Sequence, residues 1–315
     1  MLSRAADSLY WMARYMERAE NMARILDVTY RMSLAPNVAE DEERLWDPVV
    51  RIACDVPAFL RTYGDRTAGN VAHNIVLNAN NSSSILNCIR AARENARAVR
   101  GGITSEMWEN LNDTWLQVVE LDRSSLTKAN LSGLCEWVKS RSHLFRGVTY
   151  GTILHDEAFR FLRLGSFIER ADNTARLLDV KYHVMLPLEH EVGGALDFYE
   201  WGAVLRSVSA FESYHKVYRD TITPMRVAEL LVLNHAMPRS LHACMDQVST
   251  ILEQLAGMRR LESGRLAGEL HARLHYGKME EIFQSGLHEF LESFVERNNQ
   301  LGGIIQKDFL TTSCA

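Results

Sequence analysis

The stretch "MERAENMARILDVTY", residues 16–30, decides how the rest of the sequence is interpreted. Apolar side chains recur in and around it at steps of three or four residues, which is the period of one face of an α-helix. The residues on this face are Leu9, Met12, Met16, Ala19, Ala23, Leu26 and Tyr30. On a helical wheel, Glu17, Asn21 and Arg24 form a polar stripe nearly opposite this apolar face. The stretch therefore predicts a helix with two distinct faces.

A near copy, "IERADNTARLLDVKY", occupies residues 168–182. Counted from Glu17 and from Glu169, ten of fourteen positions are identical. The polar residues that the second copy repeats are Glu169, Arg170, Asn173, Arg176 and Asp179. A solvated helix face tolerates almost any polar residue, so two copies would be expected to diverge there first. The agreement indicates that the polar stripe has a definite role in both copies.

Helical spacing recurs through almost the whole chain, and no set of alternating strands is evident. Weaker similarity follows each copy, and it pairs Ser84 with Ser240 and Cys88 with Cys244. We therefore predict an all-α bundle of about ten to twelve helices, built from two tandem repeats at 1–150 and 151–315. The repeats are expected to pack about a pseudo-twofold axis. No Gly/Ser-rich or Pro-rich linker separates them, which favours one fused globular unit.

Composition excludes several classes of protein. The 315 residues are 47% hydrophobic, with a net charge of −5 from 35 basic and 40 acidic residues. The sequence contains no long block of like charges, which makes nucleic acid an unexpected partner, because duplexes favour proteins with a concentration of basic charge. No apolar run approaches the roughly 18 residues of a membrane span, so no membrane partner is expected. The five cysteines form no CxxC pair, as expected for reduced thiols in a cytoplasmic protein.

Three interpretations of the duplicated polar stripe are open. In the first, each Glu-Arg pair forms buried ion pairs with another helix. In the second, the stripe lines a functional cavity between the halves. In the third, it is an ordinary solvated face. The sequence also places Arg90, Arg93, Arg97 and Arg100 on one helix face, where Glu17 and Glu169, water or an anionic ligand would balance their charge.

Other reactive residues carry weaker signals. Ser84 and Ser240 each follow a loop and precede a helix, which is typical of a helix N-cap rather than of a nucleophile. Cys88 and Cys244 lie on apolar helix faces, where cysteine is usually a small buried hydrophobe. His271 and His275 have the i, i+4 spacing of metal ligands, but no third ligand is evident. We therefore predict no metal site and no cofactor.

Several segments together resemble the bacterial alpha-E proteins, a family named for a helical domain with a repeated Glu-Arg motif. These segments are "MLSRAADSLYWMARYMERAENMARILDV" (1–28), "ARENAR" (92–97), "FLRLGSFIERADNTARLLDV" (161–180) and "GLHEFL" (286–291). The resemblance spans essentially the whole chain. It places the family motif on Glu17-Arg18 and Glu169-Arg170.

The resemblance implies which proteins this chain works with rather than which reaction it catalyses. Alpha-E genes typically accompany a circularly permuted ATP-grasp protein and a transglutaminase-like protein, in systems that make or break amide bonds. We therefore expect a helical partner subunit that binds no ATP and presents an anionic substrate or partner. The expected binding residues are Arg18, Asn21, Arg24, Arg170, Asn173, Arg176, Arg93 and Arg97, with Glu17 and Glu169 orienting them or acting as acid and base. The alternatives are a free-standing enzyme, with a cavity lined by the pairs Glu17/Arg18 and Glu169/Arg170, and a purely structural interaction protein.

Overall fold

The computed structural model describes residues 1–34, 42–127, 130–184 and 195–311. These residues form fifteen α-helices and no strand. Two compact units divide the chain, Met1–Ser166 (the N-terminal unit) and Phe167–Ala315 (the C-terminal unit). The division falls within helix α8, whereas the predicted repeat boundary at 150/151 falls within α7.

The helices of the first unit are α1 (Ser3–Ser33), α2 (Glu42–Ala53), α3 (Val56–Tyr63), α4 (Ala68–Val76), α5 (Ile85–Ala98), α6 (Ser105–Val118) and α7 (Leu131–Thr152). Helix α1 is its centre and packs against α5 and α7, while α6 packs against the same two helices. Leu9, Met12 and Leu26 of the predicted apolar face are buried in this core. Because α1 is enclosed by neighbours, its polar side also meets protein.

The helices from α8 onward are α8 (Glu157–Val184), α9 (Ala195–Ser207), α10 (Phe211–Tyr218), α11 (Pro224–Val232), α12 (Leu241–Ala256), α13 (Glu262–His275), α14 (Met279–Ser285) and α15 (Leu287–Ile305). In the C-terminal unit, α13 packs against both α12 and α15, and α11 contacts α9, α10, α12 and α14. Ser240 is the N-cap of α12, and its Oγ accepts a hydrogen bond from the backbone N–H of Ala243 at 2.9 Å.

The predicted all-α class is confirmed, but the predicted count of ten to twelve helices was too low. Short helices account for the difference, since α3, α4, α10, α11 and α14 have between 7 and 9 residues each. A helix of two turns shows too few apolar repeats to be separated from its neighbour by periodicity alone. The break that the sequence indicates at Gly64 is confirmed, since this glycine ends α3 with a φ of 81°.

One close helix approach depends on a glycine. A Cβ atom at Gly165, in the first part of α8, would overlap the backbone carbonyl oxygen of Tyr10 in α1. Glycine is therefore required at this position, because only a residue without a side chain lets the two backbones come so near.

Candidate functional site

The polar residues of the first Glu-Arg segment are buried on α1. Glu17 is 1% exposed and Glu20 is 0% exposed, and Asn21 and Arg24 are also buried. Positions 17, 20, 21 and 24 share one side of a helix because they are three or four residues apart. This side faces protein rather than solvent, so the interpretation as an ordinary solvated face does not hold for these four residues.

Helix α7 supplies partners for the two glutamates. Arg146 Nη1 donates to Glu17 Oε2 at 3.0 Å and also to Glu20 Oε2. Ser142 Oγ donates to Glu20 Oε2 at 2.7 Å, and within α1 Arg24 Nε donates to Glu20 Oε1 at 2.8 Å. Arg24, Ser142 and Arg146 thus all donate to Glu20, and two of these donors are guanidinium groups. Charge-assisted bonds of this kind are about twice as strong as neutral ones.

His143 completes this arrangement, which we name the α1–α7 charged cluster (Glu17, Glu20, Arg24, Ser142, His143 and Arg146). Its Nε2 lies 3.4 Å from Glu20 Oε1 and 3.2 Å from Arg24 Nη2. The side chains of His143 and Arg146 are 53% and 29% exposed, whereas those of both glutamates are buried. The cluster therefore pairs two buried carboxylates with two guanidinium groups and exposes cationic and imidazole groups at its solvent edge.

A second ion network joins the C-terminal part of α1 to the N-terminal half of α7. Asp27 accepts hydrogen bonds from Ser132 Oγ at 2.9 Å, from Lys139 Nζ at 3.2 Å and from Arg31 Nε at 3.0 Å. Burial, reinforced by the Asp27 charge, strongly raises the pKa of the adjacent Cys135 thiol. This cysteine is therefore a buried neutral side chain rather than a reactive thiolate.

The second Glu-Arg segment lies on α8 in the C-terminal unit. Glu169 and Asn173 are 5% and 7% exposed. Thr174 Oγ1 donates to the backbone carbonyl of Arg239 at 2.9 Å. Arg176 is more exposed, and its Nε donates to Asp172 Oδ2 at 2.7 Å. The buried glutamate is thus common to both segments, while the second arginine, which is buried as Arg24, is partly exposed as Arg176.

The arginines that follow the two motif glutamates have similar surroundings. Both Arg18 and Arg170 are intermediate in burial. The Arg18 guanidinium lies over the Tyr15 ring at 5.7 Å, and the Arg170 guanidinium lies over the Phe167 ring at 5.3 Å. In both segments the aromatic ring is three residues before the arginine, where helical spacing brings the two side chains together.

Arg93 and Arg97 of the predicted cationic stripe lie on α5 and have partners on α5 and α6. Arg93 Nε donates to Asn112 Oδ1 at 2.9 Å, and Arg93 Nη1 donates to Glu94 Oε1 at 2.8 Å. Arg97 is 71% exposed, with its Nη1 at 3.7 Å from Glu94 Oε2. Glu94, which lies between these arginines in the sequence, is thus an acidic partner that the sequence interpretation did not include.

Sequence reasoning also missed Ser142 and Arg146. Their signal is present in "SRSHLFR", residues 140–146, because positions 142 and 146 share a helix face. The interpretation of the serines and cysteines is confirmed. Ser84 and Ser240 cap α5 and α12, and Cys88 and Cys244 are buried.

No helix within the described ranges is both long and apolar enough to cross a membrane. No solved structure matches the chain. The matching relatives include the uncharacterized proteins Mb2597 of Mycobacterium bovis and Rv2567 of Mycobacterium tuberculosis. Each is 26% identical over 317 residues, and the match covers 90% of this chain and 34% of the relative. The chain thus spans about a third of the length of these proteins.

The family model of Alpha-E, "a predicted alpha-helical domain with a conserved ER motif", matches residues 1–310. Its two named features, helical structure and Glu-Arg pairs, are those described above at α1 and α8. The chain belongs to the Alpha-E family.

Proposed function

We propose that this chain is a helical partner subunit of an ATP-dependent system that forms peptide or amide bonds, and that it binds an anionic substrate or partner through its two Glu-Arg motifs. The observation that carries the proposal is that the two residues of each motif differ in exposure. Glu17 and Glu169 are buried, whereas Arg18 and Arg170 are partly exposed beside an aromatic ring.

Arginine suits this role for chemical reasons. Its planar guanidinium donates two parallel hydrogen bonds to a carboxylate or a phosphate. An aromatic neighbour limits the number of conformations that the side chain samples, so less entropy is lost when a ligand binds. In this scheme Arg18 and Arg170 contact the anion directly, and the α1–α7 charged cluster holds α1 in position. Glu17 then acts through its salt bridge to Arg146 rather than as an acid or a base.

The partner is proposed to be a circularly permuted ATP-grasp protein, with a transglutaminase-like protein as a second partner. The family resemblance supports this choice, and so does the length of the relatives. The match covers 34% of each mycobacterial protein, so about two thirds of each lies outside the matched segment. A helical segment joined to a longer chain is consistent with a part that works beside other domains. We place this system in the cytoplasm, in keeping with buried free cysteines such as Cys88 and Cys135.

We also propose that the two units arose by tandem duplication. Three pairs of helices support this. Helices α3 and α10 have 8 residues each, α4 and α11 have 9 each, and α6 and α13 have 14 each. The N-caps of α4 and α11 are Thr67 and Thr223, and each accepts a hydrogen bond from the third residue of its helix at 3.4 Å.

The test is co-expression of the full chain with a circularly permuted ATP-grasp protein from the same organism. Complex formation is measured by size-exclusion chromatography with light scattering, and ligase turnover by ATP consumption. Arg18→Ala and Arg170→Ala should each weaken the complex or its turnover at least about tenfold, a loss of about 1.4 kcal/mol, in samples that circular dichroism shows to be folded. Arg265→Ala is the matched control, because Arg265 is an exposed arginine of α13 that pairs with Glu262.

Absence of a complex together with unchanged ligase turnover would refute the proposal. A free-standing enzyme gives a different result, because the chain alone would then turn over a substrate and Glu17→Gln would abolish that activity without loss of stability. If neither activity nor ligand binding is found but another protein is bound, the chain is an interaction protein.

A further inference from the structure

Three histidines meet in the C-terminal unit, away from both Glu-Arg motifs in the sequence. His271 and His275 lie on α13, and His242 lies in the first turn of α12. Each histidine has one ring nitrogen that lies within 4.8 Å of a ring nitrogen of each of the other two. The i, i+4 spacing on α13 was evident in the sequence, and the packing of α12 against α13 supplies the third imidazole.

The separation between two of the nitrogens matches a metal site. His275 Nδ1 lies 3.4 Å from His242 Nε2. In a tetrahedral zinc site with Zn–N bonds of about 2.05 Å, two ligand nitrogens are about 3.3 Å apart. These two imidazoles are therefore already at the spacing that a shared metal ion requires.

A backbone carbonyl group determines which ring nitrogen of His242 carries a proton. His242 Nδ1 lies 2.8 Å from the backbone carbonyl oxygen of Leu233. A carbonyl oxygen only accepts hydrogen bonds, so Nδ1 carries a proton, and in the tautomer with this single ring proton the lone pair of Nε2 is directed at the cluster. A backbone acceptor behind a histidine is the usual arrangement at metal sites, where it fixes the tautomer and the ring orientation.

His271 also has the properties of a ligand. Its Nε2 is buried and makes no hydrogen bond to any residue of the described ranges. The Asp246 carboxylate oxygen lies 3.4 Å away.

We propose that His242, His271 and His275 bind one divalent transition-metal ion, with Zn²⁺ as the ion that best suits three imidazoles. The burial of the ligands is graded. His242 is buried, His271 is intermediate and His275 is exposed, so the ion reaches the site from the side of His275. Three histidines leave a fourth position, which a water molecule or the Asp246 carboxylate fills. Bound metal cross-links α12 to α13 and stabilises the C-terminal unit.

The experiment uses the full chain, freed of any affinity tag and treated with a chelator before titration with ZnCl₂ in a calorimeter. The wild type should bind one Zn²⁺ per chain with a dissociation constant of about 1 µM or tighter. His275→Ala removes an exposed ligand with little cost to folding, and circular dichroism verifies that the variant is folded. It should weaken Zn²⁺ binding by more than about 100-fold, since changes to outer-shell groups alone cost 10–100-fold. It should also abolish the rise in melting temperature that Zn²⁺ produces.

His215→Ala is the matched control, because His215 is an exposed histidine of α10 in the same unit. It should bind Zn²⁺ as the wild type does. Co²⁺ provides a second readout, since a histidine site of low coordination number gives a visible absorption band that His275→Ala should remove. Failure of the wild type to bind Zn²⁺, or equal effects of the two substitutions, would overturn the proposal and leave the contact between His242 and His275 as an ordinary hydrogen bond.

Discussion

The substitution Glu20→Gln tests whether the α1–α7 charged cluster stabilises the N-terminal unit. Glu20 is fully buried and accepts hydrogen bonds from Arg24, Ser142 and Arg146. A glutamine has the same shape but removes the negative charge and turns an NH₂ group toward hydrogen-bond donors. Two guanidinium groups then lose their shared counter-charge.

The expected cost follows from the burial of the partners. Removing one member of a buried ion pair costs about 3–5 kcal/mol. The Arg146 side chain is 29% exposed and can move toward water, so we expect the lower end of that range, about 3 kcal/mol. For a unit of the size of Met1–Ser166, this corresponds to a fall of about 6–12 °C in melting temperature.

Tryptophan fluorescence during urea unfolding is the assay, because five of the six tryptophans lie in the N-terminal unit. The matched control is Glu94→Gln. Glu94 also has two arginine partners, Arg93 and Arg97, but its side chain is 50% exposed, so its loss should cost less than about 1 kcal/mol. In a double-mutant cycle, Glu20→Gln and Arg146→Met should be non-additive by about 1–3 kcal/mol. Equal costs for Glu20→Gln and Glu94→Gln would refute the reasoning.

Three further predictions concern other parts of the chain. Glu17→Gln should destabilise the N-terminal unit by about 2 kcal/mol, because Arg146 loses a carboxylate partner; an unchanged urea midpoint would contradict a structural role. Gly165→Ala should cost about 1–3 kcal/mol through overlap with Tyr10, whereas Gly147→Ala, with open space around it, should be neutral or stabilising by up to about 1 kcal/mol in the same melting assay. Asp179 raises the pKa of His288 through a hydrogen bond. The stabilisation that this ion pair gives the folded state is therefore complete below the unfolded pKa of histidine, about 6.5, and is lost as the pH rises through the folded pKa of His288. His288→Asn should remove this part of the pH dependence of stability, which amounts to under about 1 kcal/mol. The measurement compares urea midpoints at about pH 6 and pH 9. An identical pH profile for variant and wild type would exclude the ion pair.

Local chemistry accounts for what the sequence by itself determined. The spacing of Leu9, Met12 and Leu26 was sufficient to predict a buried helix face, because the period of a helix depends only on the backbone. Ser240 was identified as an N-cap in the same way, since a cap is satisfied by amides two or three residues ahead of it. The Glu-Arg segments were evident because they occur twice.

Partners from other helices were decided only by the tertiary structure. The spacing of residues along one helix shows which side chains share a face, but it does not show which face of another helix meets them. Arg146 therefore could not be assigned to Glu17 and Glu20 from the sequence, although it binds both. For the same reason His271 and His275 lacked a third histidine until the packing of α12 against α13 placed His242 beside them. Long-range packing selects these partners, because the burial of whole helix faces contributes more free energy than any single polar contact.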